Sequence, residues 1–212
     1  FALQSKGLEA ICADPRAGMG QGLGYAVASR GFDHLRAEIM EGALTNEMAK
    51  ELFGTEEALN KRSLSGKGRM VRWFEDLRAF HDSLIVCKWS IAHDIAISPD
   101  ILIRGLNHVT GLGFDVKEIM RIGERIIHVE KAFNIREGLT RKDDTLPMRH
   151  LKEEIPDGPL KGQTVDLNPL LDDYYEARGW DSLTGLVPKS KLEELGLIGI
   201  GKELEDMGKI PN

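Results

Sequence analysis

Two long helical patterns constrain the fold more than anything else in this chain. Across residues 66–80, Met70, Val71, Phe74, Leu77 and Phe80 recur at helical spacing, with Lys67, Arg69, Arg72, Glu75, Asp76 and Arg78 between them. That spacing predicts a helix with one buried stripe and a solvated back. Further on, Asp115 and Glu118 read as a capping box opening the longest helical pattern of the chain. Its residues Val116, Ile119, Met120, Ile122, Ile126, Ile127, Val129 and Phe133 predict a wide apolar face and a central core helix. Alternating runs of strand type are almost absent, so the expected fold class is all-α, an irregular helical domain spanning residues 1–212.

The composition excludes several function classes. A net charge of −6 over 212 residues disfavours non-specific binding to nucleic acid, which calls for a clustered basic face. No apolar run reaches the roughly 18 residues of a membrane span, so no membrane partner is expected. Cys12 and Cys87 are too few for a disulfide framework, and a reducing cytoplasm is the natural setting. The first residue is Phe1 and not methionine, which points to a piece of something longer.

Between the two long patterns and around them, local signals place the remaining elements. Residues 5–15 read as irregular, ending in an Asp14-Pro15-Arg16 turn or helix entry. The glycine-spaced segment 18–31 lacks the preceding strand and the spacing of a nucleotide-binding loop. Its glycines instead suit close approach of a helix to another backbone or a ligand. Residues 45–53 predict a short helix with Met48, Ala49 and Leu52 inward, and 54–65 a surface connection. Ser98-Pro99-Asp100 starts another helix, with Ile101, Leu102, Leu106 and Val109 on one face. The charged tract from Asn134 to Arg149 is read as solvated, with an ion-paired corner as the alternative. Residues 151–165 read as a surface loop. Asn168-Pro169 begins a helix that turns Leu170, Leu171, Tyr174 and Tyr175 inward and stops at Gly179. Ser190 and Glu193 cap a last short helix, and 199–212 is expected to be a tail.

Chemistry concentrates at residues 80–89, where Asp82, a carboxylate able to accept several hydrogen bonds, is followed five residues later by Cys87. In one reading Asp82 caps the next turn and Cys87 is a small buried hydrophobe. In the other, Cys87 is a thiolate ligand with Asp82 anchoring a polar group beside it. His81, Cys87 and His93 are all competent zinc ligands, but their six-residue intervals share no helical face and no Cys-x-x-Cys pair supports them. Cys87 with His34 as a nucleophile pair lacks a local signature. His34 itself lies between Asp33 and Arg36, just past Gly31.

Four stretches bear a resemblance to a known family. They are KGLEAICADPRAGMGQGLGYAVASRGFDHLRA, DSLIVC at 82–87, GERIIHVEKAFNIREGLTRKDDTLPMR and YYEARGWDSLTGLVPKSKLEELGL. Together, in this order, they resemble the C-terminal domain of the tungsten-containing aldehyde ferredoxin oxidoreductases. The resemblance implies a tungsten bis-pyranopterin cofactor and a 4Fe-4S cluster, with Cys87 as one of four thiolate ligands and Asp82 hydrogen-bonded to a pterin. It also implies that Val86 and Lys88 lie against that pterin, that His34 is the active-site histidine, and that Arg36 meets a phosphate or polar edge of the cofactor. The implied partners are ferredoxin, a small aldehyde substrate and the N-terminal domains of the same enzyme, and a homo-oligomer is left open.

Two features depart from the family pattern. Ile85 stands where the hexapeptide usually carries glycine, and a β-branched side chain there is expected to obstruct close approach of the backbone. One cysteine cannot hold a cubane cluster, and the resemblance implies that the other ligands come from a region N-terminal to anything here. The isolated chain is therefore expected to be inactive. The competing reading is a non-enzymatic helical module that kept the fold and lost the metal.

Overall fold

The computed structural model describes residues 2–87 and 99–211. The fold is helical, with a single two-stranded hairpin, β1 (Gln4–Ser5) and β2 (Leu8–Glu9), among the described residues. The hairpin replaces the irregular segment expected there, because Lys6 and Gly7 both take positive φ and turn the chain sharply enough for the strands to pair. Helix α1 (Met19–Val27) follows, then α2 (Asn46–Phe53), capped by the Thr45 side chain, which accepts from the Met48 amide.

The helix expected over 66–80 is α3 (Lys67–Ser83), and it is the axis of the molecule. It packs most extensively on α5 (Val116–Arg136) and α7 (Leu167–Arg178). Both crossings are made at glycine. A Cβ on Gly123 would sit 1.9 Å from the Asp76 carbonyl oxygen, and one on Gly68 would sit 2.4 Å from the Asp173–Tyr174 peptide. Closeness of this kind is available only to a residue without a side chain.

Enclosure on several sides corrects the expected solvated back of α3. Lys67, Glu75, Asp76 and Arg78 are all buried, together with Met70, Val71, Phe74, Leu77 and Phe80. Each buried charge has a partner, as burial requires. Lys67 Nζ donates to the Ala58 carbonyl at 2.6 Å, and Arg78 reaches the Glu38 carbonyl at 3.4 Å. Glu75 and Asp76 both pair with Arg178, at 2.8 and 2.5 Å.

Helix α5 begins with the expected capping box, Asp115 and Glu118 bonding each other's backbone amides. Its inner face is different from the one expected. Ile119 and Ile127 are buried, but Val116, Val129 and Phe133 face outward, while Glu124, His128 and Lys131 turn inward. The charged and polar side chains go inside because α3, α7 and the segment around Asp144 offer them partners that water-facing positions lack.

Smaller corrections have the same origin. In α2 the buried residues are Ala49 and Phe53, with Met48 and Leu52 exposed. In α4 (Pro99–Thr110) Ile103 is buried, whereas Ile101 and Val109 are exposed. Ala58, in the stretch read as a surface connection, is fully buried in a short 3-10 turn. The 134–149 tract is an ion-paired corner: Asp144 is buried and paired with Lys6 at 2.8 Å and Lys131 at 3.0 Å. A short helix, α6 (Met148–Lys152), leads from it into the 151–165 stretch.

Helix α7 buries Leu170, Leu171, Tyr174 and Tyr175 as its spacing predicts, and Gly179 ends it at φ 68°. Helix α8 (Lys189–Glu194) buries Leu192, but it starts after Pro188 and Ser190 makes no cap. The expected tail forms a ninth described helix, α9 (Ile198–Asp206), held by buried Leu204 and by Gly201 against Leu192. The main core gathers Tyr25, Phe32, Tyr174, Tyr175 and Trp180 with aliphatic side chains from α1, α3, α5 and α7.

Candidate functional site

The loop after α1 carries His34 and Arg36, and its shape follows from two residues before them. Phe32 is buried and stacks on Tyr25 with ring centroids 4.4 Å apart, which pins the loop to the core. Asp33 is also buried. Its Oδ1 accepts from the Leu35 amide at 2.9 Å, and its Oδ2 from Arg30 Nε at 2.6 Å. Burial works to raise the pKa of Asp33, but the bonds from Arg30 and the Leu35 amide outweigh it and hold the carboxyl below its usual range. His34 is half-buried between these anchors. Its Nδ1 is shut off from solvent without a hydrogen-bond partner among the described residues.

Arg36 joins this loop to two helices. Its guanidinium bonds Asp82 on the last turn of α3 at 3.2 Å, and it pairs closely with Glu130 of α5. Its Nε donates to Ser29 Oγ at 3.3 Å, and Ser29 in turn donates to Glu130 at 2.6 Å. Two residues singled out from sequence, Arg36 and Asp82, are thus in direct contact although 46 positions apart. Glu130 and Ser29 complete the clamp, and sequence reading missed both. Glu130 sits beside Val129 in a helix whose inner face was assigned from apolar spacing alone, so nothing local marked it.

Beyond Asp82 the helix ends, and Ile85 takes φ 57° with its side chain 95% exposed. The left-handed backbone at this position is one that glycine adopts freely and a β-branched residue adopts at a cost of about 1–2 kcal/mol. The isoleucine side chain points away from the core of the domain. Ile85→Gly is expected to raise stability by about 0.5–1 kcal/mol, the relieved strain being partly offset by the greater freedom of glycine in the unfolded chain. A lower denaturation midpoint in the variant would show that the side chain packs usefully.

Val86 is half-buried, and Cys87 is exposed, which removes its reading as a small buried hydrophobe. Cys12 is exposed as well. Lys88 lies outside the described residues, as does His93 of the zinc alternative. His81, the other histidine of that alternative, is fully buried within α3 and lies 3.4 Å from Arg78. Among the described residues no three His, Cys, Asp or Glu side chains gather as a metal site would need.

One end of α3 therefore collects an imidazole with an unsatisfied nitrogen, an arginine-held carboxylate and, five residues on, a thiol. This donor set suits one wall of a metal-cofactor site and is too small to be a whole one. The class so defined is a helical domain whose candidate site is incomplete by itself. Comparison with known proteins gives the family: residues 1–197 match the family described as aldehyde ferredoxin oxidoreductase, domains 2 and 3. The chain is 38% identical over 199 residues to the tungsten-containing aldehyde ferredoxin oxidoreductase of Pyrococcus furiosus, covering 93% of this chain and 31% of that one. The Thermococcus kodakarensis relative of the same name is 35% identical with the same coverage. The chain belongs to the aldehyde ferredoxin oxidoreductase family, and it spans about a third of the length of the curated relatives it matches.

A likeness of fold extends to the active-site complex BamBC of benzoyl coenzyme A reductase, solved with 1,5-dienoyl-CoA. The TM-score is 0.57 at 24% identity, over 72% of this chain and 22% of that one.

Proposed function

We propose that this chain forms one wall of the active site of a tungsten-pterin enzyme that oxidises aldehydes to carboxylic acids and passes the electrons through a 4Fe-4S cluster to ferredoxin. The observation that carries this reading is the Arg36 clamp, which ties the His34 loop to the end of α3 where Asp82 and Cys87 stand. The bound tungsten-pterin group supplies the two-electron chemistry. Asp82, whose Oδ2 is engaged by Arg36, is the carboxylate that would accept an N–H group of a pterin ring in this reading. Cys87 contributes one thiolate to the cluster, the other ligands coming from the N-terminal domains of the same enzyme. Conversion of an aldehyde and water to a carboxylic acid releases protons as well as electrons, and His34 takes one of them on its ring. Arg36 orients Asp82, while Val86 and Lys88 lie along the same cofactor edge. On its own the chain is inactive in this reading, since most of the cofactor cage lies outside it.

The setting proposed is the cytoplasm, and no helix among the described residues is long and apolar enough to cross a membrane. The test is Cys87→Ser in the full-length enzyme. The expected result is loss of about four irons per chain, with the visible absorbance of the cluster, while the helical circular dichroism is kept. Full iron content in the variant overturns the ligand assignment, and global unfolding assigns Cys87 a structural role instead. Full-length protein carrying neither tungsten nor iron after expression with both metals supplied would identify a module that kept the fold alone.

A further inference from the structure

We infer that a narrow, partly open cavity between α1, α3, α5 and α7 is the site of one ordered water, which joins the Arg36 clamp to the buried charges of the core. The cavity measures about 20 Å³, above the roughly 10–15 Å³ that one water requires. Its charged lining consists of Lys6, Arg36 and Lys131 against Glu75, Glu130 and Asp144. Three cations balance three carboxylates, so the site favours a neutral, polar occupant over an ion of either sign.

Hydrogen-bonding capacity also remains in that lining. Lys131 is buried and has three N–H donors, of which Asp144 takes one at 3.0 Å. Its ammonium otherwise faces the Trp180 ring, 4.8 Å from the centroid. Glu75 receives Tyr174 and Arg178 on the same oxygen, Oε2, at 2.5 and 2.8 Å. Ser29, already bonded to Glu130, supplies a further oxygen on the opposite wall. A water here has the two to four polar partners that hold such molecules in place. It links Arg36, which grips Asp82 at the surface, to Lys131 and Glu75 inside. The inference rests on the cavity and its lining and is independent of the catalytic proposal.

The sign of one stability change tests it. Val27, which also lines the cavity, would extend a methyl group into it as Val27→Ile. In a dry void the added carbon gains contacts, and the melting temperature of the full-length protein rises. At a water site it displaces a bridging molecule and strands its partners, so a fall of about 2–4 °C is expected. A high-resolution crystal structure of the parent is expected to show a solvent peak within hydrogen-bond reach of Lys131 Nζ, and that of the variant to lack it. A parent without the peak, or a variant that melts higher, overturns the inference. If the variant does not fold, the density of the parent alone decides.

Discussion

Arg178→Met is expected to destabilise the protein by about 3–5 kcal/mol, a large fraction of the stability of an ordinary domain. Arg178 is fully buried and donates to Asp76 at 2.5 Å, to Glu75 at 2.8 Å and to the Tyr174 hydroxyl at 3.1 Å. Burial by itself disfavours its charge, but Asp76, Tyr174 and Glu75 outweigh that and raise its pKa. Methionine fills much of the same volume, so the loss comes chiefly from two carboxylates left in the interior without their cation. Replacing the acids along with the arginine, as Arg178→Met with Glu75→Gln and Asp76→Asn, is expected to recover a large part of the stability. Denaturant midpoints of the single and triple variants measure both effects. A single variant as stable as the parent would mean that the carboxylates had found protons or water without cost.

The second large effect is a loss of stability in acid that traces to His128. Its environment permits one neutral form only: the Trp180 indole donates to Nε2 at 3.0 Å, and Nδ1–H donates to the Glu124 carbonyl at 2.7 Å. A proton added at Nε2 would meet another N–H. Burial, reinforced by the positive charge of Arg178, pushes the folded-state pKa down to about 3 from 6.5. The unfolded chain therefore takes up a proton on this ring at a pH where the folded chain does not. The stability contributed is fully present above pH 6.5 and is lost progressively as pH falls toward 3, by about 5 kcal/mol across that range. His128→Gln removes the titration. Its stability at neutral pH should fall by about 1–2 kcal/mol, because the fit to Trp180 is imperfect. The gap between variant and parent should then narrow and reverse on acidification. Parallel pH profiles for the two proteins would show that His128 is not the source.

Both effects lie where local pattern is least informative. Arg178 closes a helix whose spacing correctly turned Tyr174 and Tyr175 inward, yet the carboxylates that make its burial tolerable are 102 and 103 positions away. The solvated back expected for α3 failed for the same reason, since a charge is counted as exposed until its partner is known. The positions of Asp82 on the last turn of α3 and of Cys87 beyond it could be placed from the order of residues along the chain. The Arg36 contact with Asp82 and Glu130 could not, because it depends on the crossing of α3 and α5 at Gly123. Ile85 stood out in the sequence as a departure from glycine, and only the backbone showed that it holds a glycine-like conformation.

What the sequence determined alone was the helical class, the start of α5 at its capping box, the end of α7 at Gly179, and the long motifs that place the chain in its family. These rest on interactions within a few residues, or on order along the chain, and both can be read in one dimension. Tertiary structure alone decided which face of each helix is buried, which charges are paired in the interior, and how the His34 loop is fastened to α3. A helix turns inward whichever stripe finds both apolar contact and counter-charges, and those counter-charges come from elements far away in the chain.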